Sequence, residues 1–123
     1  MIAPYMEKGL EIRLTGKVVS SSYIDMTLQI MREFGAEVGR EDTVIGVKPG
    51  EYRSVPYRVE SDWSAASYFY ELLAIAGEGE IILTGLKEKS MQGDSRQTVV
   101  WRKLGVRTCY EGDLVRLSAA KPE

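Results

Sequence analysis

The 123-residue sequence lacks the side chains that most often build catalytic and metal sites: it has no histidine and one cysteine, Cys109. Without histidine, the commonest general base near neutral pH is absent and a zinc site is not expected. A single cysteine cannot form a disulfide within the chain, and we expect Cys109 to be a buried small apolar side chain rather than a nucleophile. The sequence thus predicts no metal and no cofactor.

Long apolar runs are also missing, since no stretch approaches the roughly 18 apolar residues that span a bilayer. The first residues show no secretory signal pattern. The formal net charge is −2 with both signs interleaved, so the basic patch that nucleic acid requires is absent. What is present, 44% hydrophobic and 28% charged residues, is typical of a globular protein. We expect a cytoplasmic protein without membrane or nucleic-acid partners.

The first half of the sequence predicts a strand, a helix and two further strands. "LEIRLTGKVV" alternates apolar and polar side chains, with Leu10, Ile12 and Leu14 on one face, which predicts a half-buried strand. "SSSYIDMTLQIMREFG" changes to a helical period, and Ser22 with Asp25 forms a capping pattern that predicts a helix start near Tyr23. "TVIGV" and "PYRVE" predict two short strands around a turn-rich segment.

The second half has clearer boundaries. Asp62 is expected to cap a helix that ends at Gly77, and Asp94 a second helix that ends at Gly105. "GEIILTG" predicts a strand between them, and "VRTCY" and "LVRLS" around "EGD" predict a closing hairpin. The side chains expected on the inner face of the first of these helices are Ala66, Phe69, Tyr70, Leu73 and Ala74.

These elements predict an α/β (α+β) fold with a weak internal repeat. Residues 56–118 have the order β-α-β-α-β-β, and residues 9–60 give an incomplete version, β-α-β-β. The order of the elements, and not the identity of the residues, indicates this repeat.

Two short segments are candidate sites from their residues alone. "VSSSY" places hydroxyl groups before a helix N-terminus, where free N–H groups favour an anion such as phosphate, although helix capping is the commoner role. Glu60 and Asp62 are two carboxylates at a strand-to-helix bend, where proton transfer competes with a solvated junction and a cap.

Three blocks taken in order, "SSSYIDMTLQIMREFGAEV", "YRVESDWSAASYF" and "LKEKSMQGDSR...WRKLGVRT", resemble consecutive blocks of the EPSP synthase (3-phosphoshikimate 1-carboxyvinyltransferase) family. The resemblance implies a shikimate-pathway transferase that moves enolpyruvyl from phosphoenolpyruvate to the 5-hydroxyl of shikimate 3-phosphate and releases phosphate. It also implies an internal fragment, because the family's proteins are over three times longer.

The family fold has two domains of β-α-β-α-β-β units with the substrates between them. The resemblance implies that residues 1–60 are a partial unit of one domain and residues 61–123 a unit of the other, with a crossover near residues 60–62. Glu60 and Asp62 would then lie at a hinge facing the cleft. Gln92 and Asp94 match the family's S-[ML]-Q-G-D block and are expected to be turn and cap residues.

By the same resemblance, Ser20 contacts shikimate 3-phosphate through its hydroxyl and Tyr23 through its ring and phenol. Ser21 and Ser22 stand where the family pattern has a basic residue and a proline. No catalytic residue of the family falls in this chain, so the fragment alone is expected to be inactive. The longer enzyme is expected to be a monomer, and the fragment to self-associate.

Two alternatives remain open at this point. One is a fragment of a UDP-N-acetylglucosamine enolpyruvyl transferase, which shares the fold. The other is a non-catalytic α/β binding module that kept the fold and lost the chemistry.

Overall fold

The computed structural model describes residues 1–122, and these form two compact units that divide between Tyr57 and Arg58. We refer to residues 1–57 as the first unit and to the chain from residue 58 onward as the second unit. Each has its own apolar core. No helix within residues 1–122 has the length and apolar character needed to cross a membrane.

The first unit is one helix on a three-stranded antiparallel sheet. After a short 3-10 helix (Ala3–Tyr5), its elements are β1 (Leu10–Arg13), α1 (Ser21–Glu33), β2 (Val38–Glu41) and β3 (Val44–Val47). The sheet order is β1-β3-β2, so the last strand lies in the middle. The core consists of Ala3, Leu28, Met31, Ala36, Ile45 and Val47.

The second unit has the same sheet topology as the first, with two α-helices instead of one. Its elements are α2 (Trp63–Ala76), β4 (Glu80–Thr84), a 3-10 turn (Gly93–Arg96), α3 (Gln97–Lys103), β5 (Val106–Glu111) and β6 (Leu114–Ala119). The sheet order is β4-β6-β5, again with the last strand in the middle. The core consists of Trp63, Ala66, Tyr70, Leu73, Leu86, Val106, Val115 and Leu117.

The predicted strand "PYRVE" is wrong, because residues 51–62 contain no helix or strand. Pro56 has no N–H to donate to a ladder, and Val59, on the face that the alternation predicts to be apolar, has 79% of its side chain exposed. The strand that the sequence did not predict is β2, "VGRE". It forms because it pairs with β3 in a hairpin, which outweighs its low strand propensity.

Two apolar positions of the first strand are also less buried than predicted. Leu10 is 36% and Ile12 is 40% exposed, although their cross-strand partners Val47 and Ile45 are buried. Strand β1 is an edge strand, and α1 makes its main strand contacts with β2 at the other edge of the sheet. The inward face of β1 is therefore only partly covered.

Helix α1 begins at Ser21, close to the predicted start near Tyr23, but the predicted Ser22–Asp25 capping pattern is wrong. Ser20 occupies the N-cap position, and its side chain makes no capping hydrogen bond. Asp25 is held instead by Arg40, which lies 15 residues further along the chain. A partner brought in by the sheet thus replaces the local capping interaction.

Helix α2 has both predicted ends. The Asp62 side chain accepts a hydrogen bond of 2.8 Å from the Ser64 N–H, and Gly77 adopts the left-handed backbone that ends the helix. Of the predicted inner face, Phe69 is wrong, because it is 43% exposed. The unpredicted Trp63, at the start of the helix, is fully buried.

Two predictions in the rest of the second unit also need correction. Asp94 does not cap α3: Arg96 occupies the N-cap position, and Asp94 accepts a hydrogen bond from the Ser64 hydroxyl instead. Cys109 is exposed rather than buried. It alternates along β5 with the more buried Thr108 and Tyr110, so it points to the opposite face of the sheet.

Candidate functional site

The first candidate region is the start of α1, where the backbone is unusual. Ser20 has φ 63° and ψ 37°, the left-handed region that a residue with a Cβ seldom adopts. Among the described non-glycine residues, Ser20 shares a positive φ only with Asp42, in the turn between β2 and β3. Ser20 is therefore a strained residue directly before the free N–H groups of a helix.

Tyr23 lies in the first turn of this helix with its side chain in solvent. It is 65% exposed, and its N–H donates to the Ser20 carbonyl over 3.0 Å. The structure thus places Ser20 and Tyr23, the two predicted ligand-binding residues, within one helical turn. An anion bound there would meet a hydroxyl, a phenol and the positive end of the helix dipole.

A partly buried arginine on the sheet contacts the side chains at this helix start. Arg40 on β2 has only 18% of its side chain exposed, and its Nη1 donates to Ser21 Oγ and to Asp25 Oδ1, each over 2.8 Å. Ser21 Oγ in turn lies 3.4 Å from Asp25 Oδ2. No pattern of neighbouring residues indicates this network, because Arg40 lies 19 residues from Ser21.

The second candidate region is the segment before α2, where Glu60 and Asp62 were predicted at a hinge. Glu60 Oε1 accepts hydrogen bonds from Trp63 Nε1 (3.1 Å) and from the Lys87 N–H (3.0 Å). The Ser61 N–H donates to the Gly85 carbonyl over 2.8 Å. Both predicted carboxylates are therefore occupied by contacts within the second unit, and Asp62 is the cap of α2.

Gln92 fixes this segment from the other side. Its Nε2 donates to the Ser61 carbonyl over 2.8 Å, and its Oε1 accepts from the Trp63 N–H over 2.9 Å. One carboxamide thus holds the residues on both sides of Asp62, as a neighbouring strand would. The expectation that Gln92 is only a turn residue misses this long-range role, since its partners lie 29 and 31 residues away.

Ser20 and Tyr23 belong to the first unit, and Glu60 and Asp62 to the second. Within residues 1–122 no group of three or more His, Cys, Asp or Glu side chains is arranged to hold a metal ion. The first unit also has an open groove of about 730 Å³, lined in part by Lys8, Arg32 and Lys48. Neither Ser20 nor Tyr23 lines that groove.

Comparisons with known proteins place these features in a family. Residues 1–121 match the family described as EPSP synthase (3-phosphoshikimate 1-carboxyvinyltransferase). The chain is 48% identical over 118 residues to the 3-phosphoshikimate 1-carboxyvinyltransferase of Bacteroides fragilis strain YCH46, covering 95% of this chain and 29% of that protein. It is 41% identical over 121 residues to the protein of the same name from Yersinia pestis bv. Antiqua strain Angola, covering 96% of this chain and 28% of that protein.

The chain thus spans less than a third of the length of these relatives. The match nevertheless runs through both units and includes both candidate regions. This chain belongs to the EPSP synthase family.

Proposed function

We propose that this chain is part of an enzyme that transfers the enolpyruvyl group of phosphoenolpyruvate to the 5-hydroxyl of shikimate 3-phosphate, with release of phosphate. The observation that carries the proposal is the family match over residues 1–121. In this proposal Ser20 and Tyr23 form one edge of the shikimate 3-phosphate site. Their place at the start of α1 supports it, because a phosphate ester is stabilised by free N–H groups at a helix N-terminus.

We further propose that the chain is inactive by itself. Enolpyruvyl transfer needs a base for the hydroxyl group and an acid for the methylene carbon, held together in one closed site. The chain covers 28–29% of its relatives' length and has no histidine to supply such a base. The catalytic groups would come from other parts of the longer enzyme, without a metal or cofactor in this segment.

The two units would be a partial and a complete β-α-β-α-β-β unit of two different domains, with the crossover near residues 60–62. The shared sheet order supports this proposal. The opening strand predicted at residues 56–60 is not formed, so the second unit contains the later elements of that order, α-β-α-β-β. Glu60 and Asp62 would then act at the hinge by fixing the start of α2, rather than by touching the reacting atoms.

The surface of α2 supports a longer parent protein. Outside its buried face, Tyr68 is 72%, Leu72 is 58% and Ile75 is 78% exposed. A helix that is apolar on all sides is normally buried on all sides. We propose that other parts of a monomeric, cytoplasmic enzyme cover this face, and that the isolated chain self-associates through it.

The test is a two-dimensional amide NMR titration of the chain with shikimate 3-phosphate, with inorganic phosphate and UDP-N-acetylglucosamine as controls. We expect saturable amide shifts around residues 20–23 with shikimate 3-phosphate. The dissociation constant should be at least about tenfold higher for Tyr23→Ala than for the wild type. Tyr68→Ala, which removes another exposed tyrosine, should respond like the wild type.

Each control ligand separates one alternative. Equal shifts with inorganic phosphate would reduce the site to a general anion site, and shifts specific to UDP-N-acetylglucosamine would favour the cell-wall transferase. A well-folded chain that responds to none of the three ligands would contradict a preformed site edge and leave the binding-module alternative standing.

A further inference from the structure

Arg40 connects separate parts of the first unit around the start of α1. Its Nη1 contacts Ser21 and Asp25 on the helix, and its Nε donates to the Asp42 carbonyl in the turn between β2 and β3 over 3.2 Å. The Leu14 N–H, in the segment that leads from β1 toward α1, donates to the Thr43 carbonyl of the same turn over 2.8 Å. The Arg40 side chain thus joins the hairpin turn to the helix start, and the Leu14–Thr43 hydrogen bond ties the preceding segment to the same turn.

The residue next to this junction is the strained one. Ser20 adopts the left-handed backbone, yet its own side chain makes no capping hydrogen bond that would stabilise it there. Neighbouring contacts must therefore hold this conformation. The nearest side-chain anchor is Ser21, whose hydroxyl accepts a hydrogen bond from Arg40.

We propose that Arg40 is a positioning residue for shikimate 3-phosphate: by holding Ser21 and Asp25, it keeps Ser20 left-handed and fixes the Ser20 hydroxyl and the Tyr23 ring in their binding arrangement. This inference rests on the proposed function. The guanidinium is suited to the role because its rigid fork of donors reaches several acceptors at once. Arg40 itself need not touch the ligand.

The experiment uses Arg40→Ala and Ser21→Ala, with Arg13→Ala as the matched control. Arg13 is an exposed arginine of the same sheet, and within residues 1–122 its ion pair is with Glu11, two residues away. The first readout is the dissociation constant for shikimate 3-phosphate from amide titration. The second, which needs no ligand, is the three-bond HN–Hα coupling and carbon chemical shifts of Ser20, which report its φ.

We expect both Arg40→Ala and Ser21→Ala to bind shikimate 3-phosphate about tenfold more weakly, the effect of losing one good hydrogen bond in the supporting network. Both should shift the Ser20 signature away from left-handed values. Arg13→Ala should stay within twofold of the wild type in affinity and keep the Ser20 signature.

Ser21→Ala keeps the test valid if Arg40→Ala fails to fold. Alanine is the best helix former, so this variant loses the contact with Arg40 without losing helix propensity. An affinity for shikimate 3-phosphate that is unchanged in the folded variants would overturn the proposal, whatever happens at Ser20. A wild-type chain that binds no shikimate 3-phosphate would contradict the proposed function of Ser20 and Tyr23. The role of Arg40 is tested separately, because a Ser20 that stays left-handed in the variants would overturn it.

Discussion

The two units share one sheet topology but cover it differently. In each, the first strand pairs antiparallel with the last, and the last two strands form a hairpin. The first strands also share a sequence, E-I-x-L-T-G, at residues 11–16 and 80–85. Yet Ile12 is 40% exposed, whereas Ile81 packs against the core of its unit. The second unit has α2 in addition to α3, and the first unit has only α1.

Two units with the same strand order can therefore bury the corresponding strand to different extents. The same strand, with the same inward isoleucine, is half-covered in one unit and packed in the other, because α2 lies against β4, whereas α1 makes its main strand contacts with β2 and not with β1. The second unit accordingly has a fully buried Trp63 and Tyr70, whereas the core of the first contains no aromatic residue. Each prediction below changes one of these differences.

The largest effect is expected from Trp63→Ala. Trp63 is fully buried at the start of α2, and its removal should lower the free energy of unfolding of the second unit by about 3–5 kcal/mol through lost burial and a cavity. Val99→Ala, in α3 and 62% exposed, should cost less than about 0.5 kcal/mol. Urea unfolding followed residue by residue by NMR measures both. A loss below about 1 kcal/mol for Trp63→Ala would mean that α2 does not stabilise this unit as the structure indicates.

The second prediction is alkaline lability of the second unit. Burial raises the pKa of Tyr70 to about 12, against the opposing effect of its hydrogen bond with Thr108. The folded state therefore favours the neutral phenol. The contribution of Tyr70 to the free energy of unfolding is fully present below the unfolded pKa of about 10 and is lost as the pH rises from about 10 to about 12, a loss on the order of 2 kcal/mol.

Tyr70→Phe should flatten this pH dependence, and Tyr68→Phe should leave it unchanged. The measurement is the unfolding free energy between pH 8 and pH 12, from urea titrations of the three proteins. An equally steep alkaline loss in Tyr70→Phe would contradict the assignment to Tyr70.

The third prediction compares the glycines that end the shared E-I-x-L-T-G segments. Gly16 and Gly85 have φ values of 75° and 78°, so alanine costs about 1 kcal/mol of backbone strain at either position. A Cβ on Gly85 would lie 2.4 Å from Ser61 Oγ, whereas one on Gly16 would meet nothing within 4 Å. We expect Gly85→Ala to cost about 1–2 kcal/mol more than Gly16→Ala and to shift the amide signals of residues 60–63. Equal losses in thermal unfolding would show that the contact with Ser61 relaxes freely.

The smallest effect concerns the glutamates that end β2 and β5. The hydrogen bond from Arg116 lowers the pKa of Glu111, whereas Glu41 lies in a hairpin with Gly46 at the position that corresponds to Arg116. Because the folded pKa of Glu111 is lowered, its contribution is present above the unfolded pKa and is lost as the pH falls through the folded one. Glu111→Gln should therefore lose a little stability at pH 7, and less as the pH falls below the unfolded pKa of about 4.5. Glu41→Gln, in the hairpin that has Gly46 where the other has Arg116, should lose less than Glu111→Gln at pH 7. Calorimetry would refute the pairing if the two variants lose the same stability at pH 7.

Much of the second unit follows from its sequence. Strand β4, both ends of α2 and the closing hairpin were predicted correctly, because each depends on neighbouring residues: alternating side chains, a capping aspartate and glycines with positive φ. The family was also predicted correctly from three ordered blocks, and the match over residues 1–121 confirms it. The E-I-x-L-T-G segment at residues 11–16 and 80–85 is a further sequence signal of the repeat.

The candidate site was only partly predictable. Ser20 and Tyr23 came from the family resemblance, and their role in binding stays a prediction. The left-handed backbone at Ser20 and the anchor at Arg40 had no signal in the local sequence. Gln92 was assigned to a turn, since nothing in "SMQGD" shows that its carboxamide reaches Ser61 and Trp63.

The sequence by itself determined where α2 begins and ends, because Asp62 caps an N–H two residues away and Gly77 needs no partner to adopt its backbone. It also determined the family. Only the tertiary structure decided that "VGRE" is a strand and "PYRVE" is not, that Cys109 faces outward, and that Asp25 pairs with Arg40. These outcomes depend on which strand and helix are brought together across many residues, and the chemistry of a short segment carries no information about its distant partners.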